Sequence, residues 1–305
     1  MNYQNYDNRY SDYKINTNYS WPIQIDLHLH TTKSDGNLTP SQLIKQIDRT
    51  KLKIISITDH DNISGLEEAR KEVDLRENLN LINGIELSTI NNKDEIHILG
   101  YFIDVNSKNL IEKIKELKIQ RIESSKKIVN FLRKKNIYLS WEEIYSNTNG
   151  IIGRPHIARA MIEQNYVKSI NEAFEKYLND ENIKNIKKYK MNTLDAINLI
   201  QDSGGLAVIA HPKSISNLNT QIEKLVDAGL AGIEVYAEKY EQMTQSYYLK
   251  ICEKYNLIPT GGTDYHANNQ QYEMMPGMNG PPYSTYEKLI EKAKNIHGNN
   301  IGQKI

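Results

Sequence analysis

Short apolar runs alternate with helical patterns through the first hundred residues of the chain. Strands are predicted at 23–29, 53–58, 79–87 and 95–103. The runs are rich in β-branched residues, which is typical of buried strands. Helices are predicted to begin at Thr39, which can cap a helix whose first turn holds Pro40, and at Ser64. This alternation predicts an α/β fold with a parallel sheet or barrel.

The pattern changes between residues 107 and 190, where apolar residues recur at helical spacing among many lysines. The spacing is shown by Ile111, Ile114, Leu117, Ile128, Val129 and Leu132. Beyond it, helices are predicted at 193–202, 220–228 and 243–255, and strands at 206–210, 232–235 and 258–263. We therefore predict a barrel domain formed by 21–106 and 191–305, interrupted by a small helical insertion domain at 107–190.

Composition and charge exclude several classes of protein. The 38 basic residues balance the 38 acidic ones, which argues against binding of duplex DNA. The single cysteine, Cys252, allows no intrachain disulfide and argues against thiolate-rich zinc sites. Residues 1–20 are polar and aperiodic, which predicts a disordered tail and not a signal peptide. Because no apolar run is long enough to cross a membrane, we expect a cytoplasmic protein without membrane contact.

Side chains of the kinds that bind metals follow, or lie within, six of the apolar runs. They are His28, His30, Asp59, His60, Asp61, Glu86, His97, His211, Asp264 and His266. His28 and His30 alternate along one predicted strand and should share a face. Taken alone, each carboxylate could as readily be a structural cap as a metal ligand, and each histidine could as readily be an ordinary buried residue. Because the carboxyl ends of barrel strands meet at a common mouth, the six segments together predict a shared cation site.

The same residues lie in six of seven motifs that follow one another along the chain: DLHLHTTKSDG from Asp26, ITDHDNISG from Ile57, GIELS from Gly84, IHILGYF from Ile96, GRPHIARAMIE from Gly153, GGLAVIAHP from Gly204 and GGTDYHA from Gly261. In this order the motifs resemble those of the PHP family, named from polymerase and histidinol phosphatase. The resemblance implies a distorted (β/α)7 barrel. The GRPHIAR segment resembles the branch that hydrolyses nucleoside 3′,5′-bisphosphates and trims RNA from its 5′ end.

The resemblance also implies two to three divalent cations. One ion would be held by His28, His30, Glu86 and Asp264. A second would be held by Glu86, as a bridging ligand, with His97 and His211. A third would be held by Asp35, His60 and His266. A ligand set of nitrogen and oxygen atoms suits Mn, Fe or Zn, and suits Mg less well.

Other polar residues carry predicted roles outside the ligand set. Asp59 is either a carboxylate that orients an imidazole or a cap at a strand end, and the sequence leaves both open. Arg154 and His156 open the helix of GRPHIAR, and we predict that they bind a substrate phosphate, because the planar Arg fork matches phosphate oxygens. The alternative is an exposed helix start. Weaker phosphate-binding candidates are Arg159, Lys33 and Arg121.

The predicted function is metal-dependent hydrolysis of phosphate esters. No GxSxG or P-loop motif is present, so a hydroxide formed on the cations, and no protein side chain, is the predicted nucleophile. Attack on a 3′-phosphate would hydrolyse both nucleoside 3′,5′-bisphosphates and short single-stranded RNA. Two alternatives stay open: a phosphomonoesterase for histidinol phosphate or another small molecule, and a non-catalytic regulatory module that binds metal. No protein partner is predictable.

Overall fold

In a computed structural model of the protein, the structure describes residues 20–91, 94–146, 148, 151–179, 181–183, 186, 191–237, 240–268 and 273–297. Almost all of the predicted tail at 1–20 therefore lies outside the described residues. Within the described residues, none of the helices combines the length and the apolar character needed to span a membrane.

A sheet of eight strands forms the centre of the molecule. The strands are β1 (Ile25–Leu29), β2 (Ile54–Ile57), β3 (Asn80–Asn91), β4 (Asp94–Tyr101), β5 (Met191–Asn192), β6 (Leu206–Ile209), β7 (Gly232–Tyr236) and β8 (Ile258–Gly261). Seven follow one another in the order β1-β2-β3-β4-β6-β7-β8, and β5 pairs with β3 beside this path. A bridge between Leu29 and Tyr265 brings the two ends together, so the sheet nearly closes into the predicted barrel.

The fourth strand departs from the parallel sheet predicted from the alternating pattern. β4 runs antiparallel to both β3 and β6, whereas β1-β2-β3 and β6-β7-β8 are parallel. The reason lies in the connection, because two residues alone separate β3 from β4. So short a link allows only a hairpin, while a parallel pair needs a crossover of a dozen residues or more.

Helices cover the outside of the barrel. They are α1 (Pro40–Ile47), α2 (Leu66–Val73), α7 (Thr193–Asp202), α8 (Leu218–Asp227), α9 (Gln242–Tyr255) and α10 (Ser284–His297). α1 begins as predicted, since the Thr39 side chain accepts from the Gln42 backbone in a capping box. α10 was not predicted; it packs Tyr286, Leu289 and Ala293 against the barrel.

The helices between β4 and β5 have a hydrophobic cluster of their own. They are α3 (Lys108–Arg133), α4 (Trp141–Ser146), α5 (Arg154–Glu163), α6 (Ile170–Ala173) and a π-helical turn (Phe174–Leu178). Leu110 and Leu117, near the start of α3, pack in the main cluster of the barrel, whereas Leu132, near its end, packs in the separate cluster. α3 therefore connects the two cores. The predicted division at 107 and 190 stays a prediction.

Candidate metal centre

The loop after β1 folds back over the end of its own strand. His28 lies in β1 and His30 follows it, and both side chains are buried. The Gly36 amide donates to the Thr31 carbonyl at 3.0 Å, and a Cβ at Gly36 would lie 2.7 Å from the His30 carbonyl oxygen. Only glycine fits so close an approach of two backbone segments. The tight loop places Asp35 Oδ1 3.8 Å from His30 Nδ1.

Glu86 lies at the middle of the cluster and is fully buried. Each of five imidazoles has a ring nitrogen between 2.8 and 3.2 Å from one of its two carboxylate oxygens. These imidazoles belong to His28, His30, His60, His97 and His211. One carboxylate cannot satisfy five imidazoles by hydrogen bonds alone, because each oxygen has about two lone-pair directions. The arrangement is compatible with the predicted role of Glu86 as a bridging ligand, which stays a prediction.

Two members of the cluster lie within strands, which was expected of His97, whereas Glu86 was expected at the end of a strand. Glu86 lies within β3 and His97 lies within β4, because β3 continues to Asn91 and pairs with β4 along its length. Their side chains reach the cluster from the body of this hairpin. The other segments do reach the site at or just after the end of a strand, which agrees with the prediction.

The nine side chains predicted as ligands all meet in this cluster. Asp264 Oδ1 lies 3.2 Å from His28 Nε2 and 3.1 Å from His30 Nε2. Asp35 Oδ1 lies 3.3 Å from His266 Nε2. Three groups have donor atoms within 4.8 Å of one another: His28, His30 and Glu86; His60, Glu86 and His97; and His30, Asp35, His60 and His266. Because His30 and His60 each belong to two groups, the assignment of each side chain to one ion stays a prediction.

The charges of the cluster favour cations. Burial would raise the pKa of Asp35, but His266 and His60 beside it hold that pKa well below its usual range. Burial lowers the pKa of His60 to about 3. Burial also opposes protonation of His97, yet the Glu86 carboxylate raises the pKa of His97 to about 9. The carboxylates thus stay ionised and draw protons onto some imidazoles, and a divalent cation can take the place of those protons.

The geometry of three buried atoms supports the fit of this donor set to metal. His30 Nε2, Asp35 Oδ1 and His60 Nδ1 lie between 3.1 and 3.3 Å from atoms of Asp264, His266 and Glu86, but within the described part of the chain they make no hydrogen bond of good geometry. A buried polar atom without a hydrogen bond costs about 1–3 kcal/mol, so it calls for a ligand such as an ion. Nitrogen and carboxylate oxygen donors, without thiolate, suit divalent Mn, Fe or Zn better than Mg.

Asp59 acts on the cluster through a loop. Its carboxylate accepts from the Thr31 amide at 2.8 Å, from the Thr31 hydroxyl at 2.7 Å and from the Ser34 hydroxyl. Ser34 Oγ in turn lies 3.4 Å from His30 Nδ1. Asp59 therefore braces the loop after β1, and its effect on the His30 imidazole passes through Ser34.

Two carboxylates that contact the ligands were missed in the sequence analysis. Glu234 lies within β7 and is 1% exposed; its Oε1 lies 3.0 Å from His28 Nδ1. Glu95 Oε1 lies 3.2 Å from His97 Nε2. A signal for Glu234 was present in the sequence GIEVY, because a charged residue inside an apolar strand is rarely buried without a partner.

A cavity of about 190 Å³ adjoins the cluster and separates it from the helical insertion. Its lining includes Asp35, His60, Asp61 and His97 from the barrel, and Arg121, Arg154 and Phe174 from the insertion. Arg154 Nη1 donates to the Leu178 carbonyl at 3.2 Å, and its guanidinium lies 5.4 Å from the centre of the Phe174 ring. These contacts hold the Arg154 guanidinium at the cavity wall, opposite the predicted metal ligands.

His156 lies elsewhere, so the structure does not bring it together with Arg154 as predicted. It lines a second cavity of about 410 Å³, together with Asn37, Arg159 and Glu163. His156 Nδ1 accepts from the Gly153 amide at 3.1 Å, which fixes the ring at the start of α5, and burial lowers its pKa to about 4. The second arginine in the cavity of Arg154 is Arg121.

Arg121 and Arg159 fasten the insertion to the barrel. Arg121 Nε donates to Asp61 Oδ2 at 2.6 Å, and its Nη2 donates to Ser88 Oγ at 2.7 Å. Arg159 Nη2 donates to the Asp35 carbonyl, and at 2.8 Å to Asn268 Oδ1. Of the weaker phosphate-binding candidates, these two have structural partners at the rim.

The PHP domain model matches residues 26–186. The chain belongs to the PHP domain family. It is 32% identical over 257 residues to the 5′-3′ exoribonuclease Rnm of Escherichia coli, which covers 82% of this chain and 87% of that protein. It is 29% identical over 249 residues to a 3′,5′-nucleoside bisphosphate phosphatase of Chromobacterium violaceum, with 80% and 87% covered.

A structure from Bifidobacterium adolescentis, provisionally named a metal-dependent phosphoesterase, superimposes with a TM-score of 0.81 at 25% identity. The superposition covers 89% of this chain and 97% of that one. These likenesses confirm the predicted family, the barrel fold and the enzyme class, a metal-dependent phosphoesterase. Which metal ions are bound, and how many, stays a prediction.

Proposed function

We propose that the protein hydrolyses the 3′-phosphate ester of nucleoside 3′,5′-bisphosphates and, by the same cleavage, trims short RNA that carries a 5′-phosphate. The observation that supports this proposal is the cavity between the ligand cluster and Arg154. One phosphate would lie at the cluster and the other at the guanidinium. Relatives named for these two activities, at about 30% identity, support the same substrate class.

Different residues of the chain have different roles in this reaction. Two to three divalent cations held by the predicted ligands would neutralise phosphoryl oxygens and lower the pKa of a coordinated water towards neutrality. Arg154 orients the substrate by its 5′-phosphate, and Asp59 braces the loop that carries Asp35. The bond between phosphorus and O3′ breaks, water supplies the new oxygen, and a 5′-nucleotide leaves with its O3′ protonated.

The one cysteine of the chain plays no part in this chemistry. Cys252 is buried in α9, and burial raises the pKa of its thiol to about 12, so no thiolate forms near neutral pH. The formal net charge of zero, with two arginines at the cavity, suits a nucleotide or the end of a short single strand better than a duplex.

A substrate panel tests the proposal. Purified protein would be assayed with added Mn²⁺, and again with chelator, on adenosine 3′,5′-bisphosphate, short 5′-phosphorylated RNA and histidinol phosphate. We expect release of phosphate from the bisphosphate and of 5′-nucleotides from the RNA, both abolished by chelator. Preference for histidinol phosphate would favour the small-molecule phosphatase instead. Bound metal without hydrolysis of any substrate would favour a regulatory module.

A further inference from the structure

Glu234 contacts two of the predicted metal ligands at once. It lies within β7 with its side chain 2% exposed, and β7 pairs with β6, the strand that leads to His211. Its Oε1 lies 3.0 Å from His28 Nδ1, and its Oε2 accepts from the backbone amide of His211 at 2.7 Å. The two histidines belong to different predicted cation positions, and both approach Glu86.

The contact with His28 decides which nitrogen of its ring is unprotonated and can bind a cation. A carboxylate accepts hydrogen bonds, so His28 Nδ1 must carry the proton when it faces Glu234. The lone pair of Nε2 then points to the cluster, where Nε2 lies 3.2 Å from both Glu86 and Asp264. Acceptors of this kind fix the tautomer and the ring orientation of metal-binding histidines.

The contact with His211 holds the backbone of a strained turn. His211 has φ of 28° and ψ of 60°, a region that residues with a side chain rarely adopt. Its backbone amide donates a hydrogen bond to Glu234, and its Nε2 lies 3.1 Å from Glu86 Oε1. Without an acceptor for this amide, the turn that aims the imidazole would lose a buried hydrogen bond.

We infer that Glu234 is a positioning residue that orients ligands at two cation positions, so that one carboxylate couples the two. The inference rests on the proposed metal centre. Glu95 offers a natural comparison, because its described contact with the predicted ligands is with the ring of His97. Loss of Glu234 should therefore weaken the binding of two cations, and loss of Glu95 should weaken the binding of one.

The Glu234→Gln variant tests the inference with little change of volume. Its neutral amide oxygen accepts less strongly than a carboxylate oxygen from one histidine, and its NH₂ faces the donor of the other, so both contacts are weakened. We expect Mn²⁺ affinity to fall about 10- to 100-fold at two sites, measured by calorimetry and by metal content after dialysis. Glu95→Gln should show the loss at one site. Tyr101→Phe is the matched control, because Tyr101 is buried in the same barrel near Glu234 and its variant should bind Mn²⁺ as the wild type does.

The outcomes separate the two proposals. If the wild-type protein binds no divalent metal, the proposed metal centre fails. If the wild type binds metal and Glu234→Gln binds it equally well, the role of Glu234 is overturned. Melting in chelator shows whether the variant is folded. Should Glu234→Gln not fold, Glu234→Asp keeps the buried charge, but its side chain is one methylene shorter and lengthens both contacts, so the same loss of Mn²⁺ affinity at two sites is required of it.

Discussion

Replacement of Arg154 by alanine should separate recognition of the 5′-phosphate from hydrolysis. Arg154 is held at the cavity wall by the Leu178 carbonyl at 3.2 Å and by the face of Phe174 at 5.4 Å. Its Nη2 also lies 3.7 Å from Glu95 Oε2 in an ion pair. The Arg154→Ala variant removes the guanidinium and leaves the predicted metal ligands in place.

The size of the effect follows from the bonds lost. A hydrogen bond to a charged group contributes about 1.5–3 kcal/mol, which corresponds to a fall of about 10- to 150-fold in kcat/KM for adenosine 3′,5′-bisphosphate. A simple aryl phosphate has no second phosphate, so its kcat/KM should change by less than about threefold. Arg154→Lys keeps the charge without the fork and should give an intermediate loss on the bisphosphate.

Steady-state assays on the two substrates with saturating Mn²⁺ measure this difference. The melting temperature of each variant is the control, because the Leu178 carbonyl loses a donor in both. An equal fold loss on the bisphosphate and on the aryl phosphate would refute the role of Arg154, since it would show damage to the metal centre or to the fold.

Three further predictions concern the frame of the site. A double-mutant cycle of Arg121→Met and Asp61→Asn, followed by urea denaturation in chelator, should give a coupling energy of about 1.5–3 kcal/mol; additive effects would show that this pair does not fasten the insertion. Gly36→Ala places a Cβ 2.7 Å from the His30 carbonyl oxygen and should cost about 1–3 kcal/mol and weaken Mn²⁺ binding, whereas unchanged stability and metal content would mean that the loop can yield. Burial lowers the pKa of His156 from 6.5 to about 4, so the unfolded chain takes up its proton first and stability falls as pH drops from 6.5 towards 4. His156→Gln should reduce that acid-induced loss, and identical pH profiles of unfolding for the two proteins would contradict it.

Local patterns predicted most of the elements because the elements are short and amphipathic. α7 runs over Thr193–Asp202, as predicted, with Ala196, Ile197 and Ile200 on its buried side. α10 was missed although Tyr286, Leu289 and Ala293 recur at helical spacing. Its many lysines and glutamates obscured a narrow apolar stripe. Periodicity therefore identified helices wherever the buried face was wide.

The direction of β4 could not be predicted from its own residues. The sequence IHILG is typical of a buried strand that could run in either direction. The two-residue link to β3 forces the antiparallel pairing. The pairing lengthens β3 to Asn91, which moves Glu86 from the expected strand end into the middle of a strand. The position of the bridging carboxylate thus depends on a neighbouring strand.

The amino-acid sequence by itself identified the side chains that are candidates to bind cations, because these histidines and carboxylates stand in order along apolar strands. Only the tertiary structure decided which of them meet, that Arg154 faces them while His156 does not, and that Glu234 holds two of them. The physical reason is distance. Sequence spacing constrains neighbours along one strand or helix, whereas contacts between β1, β3 and β7 arise from closure of the barrel, which no local pattern encodes.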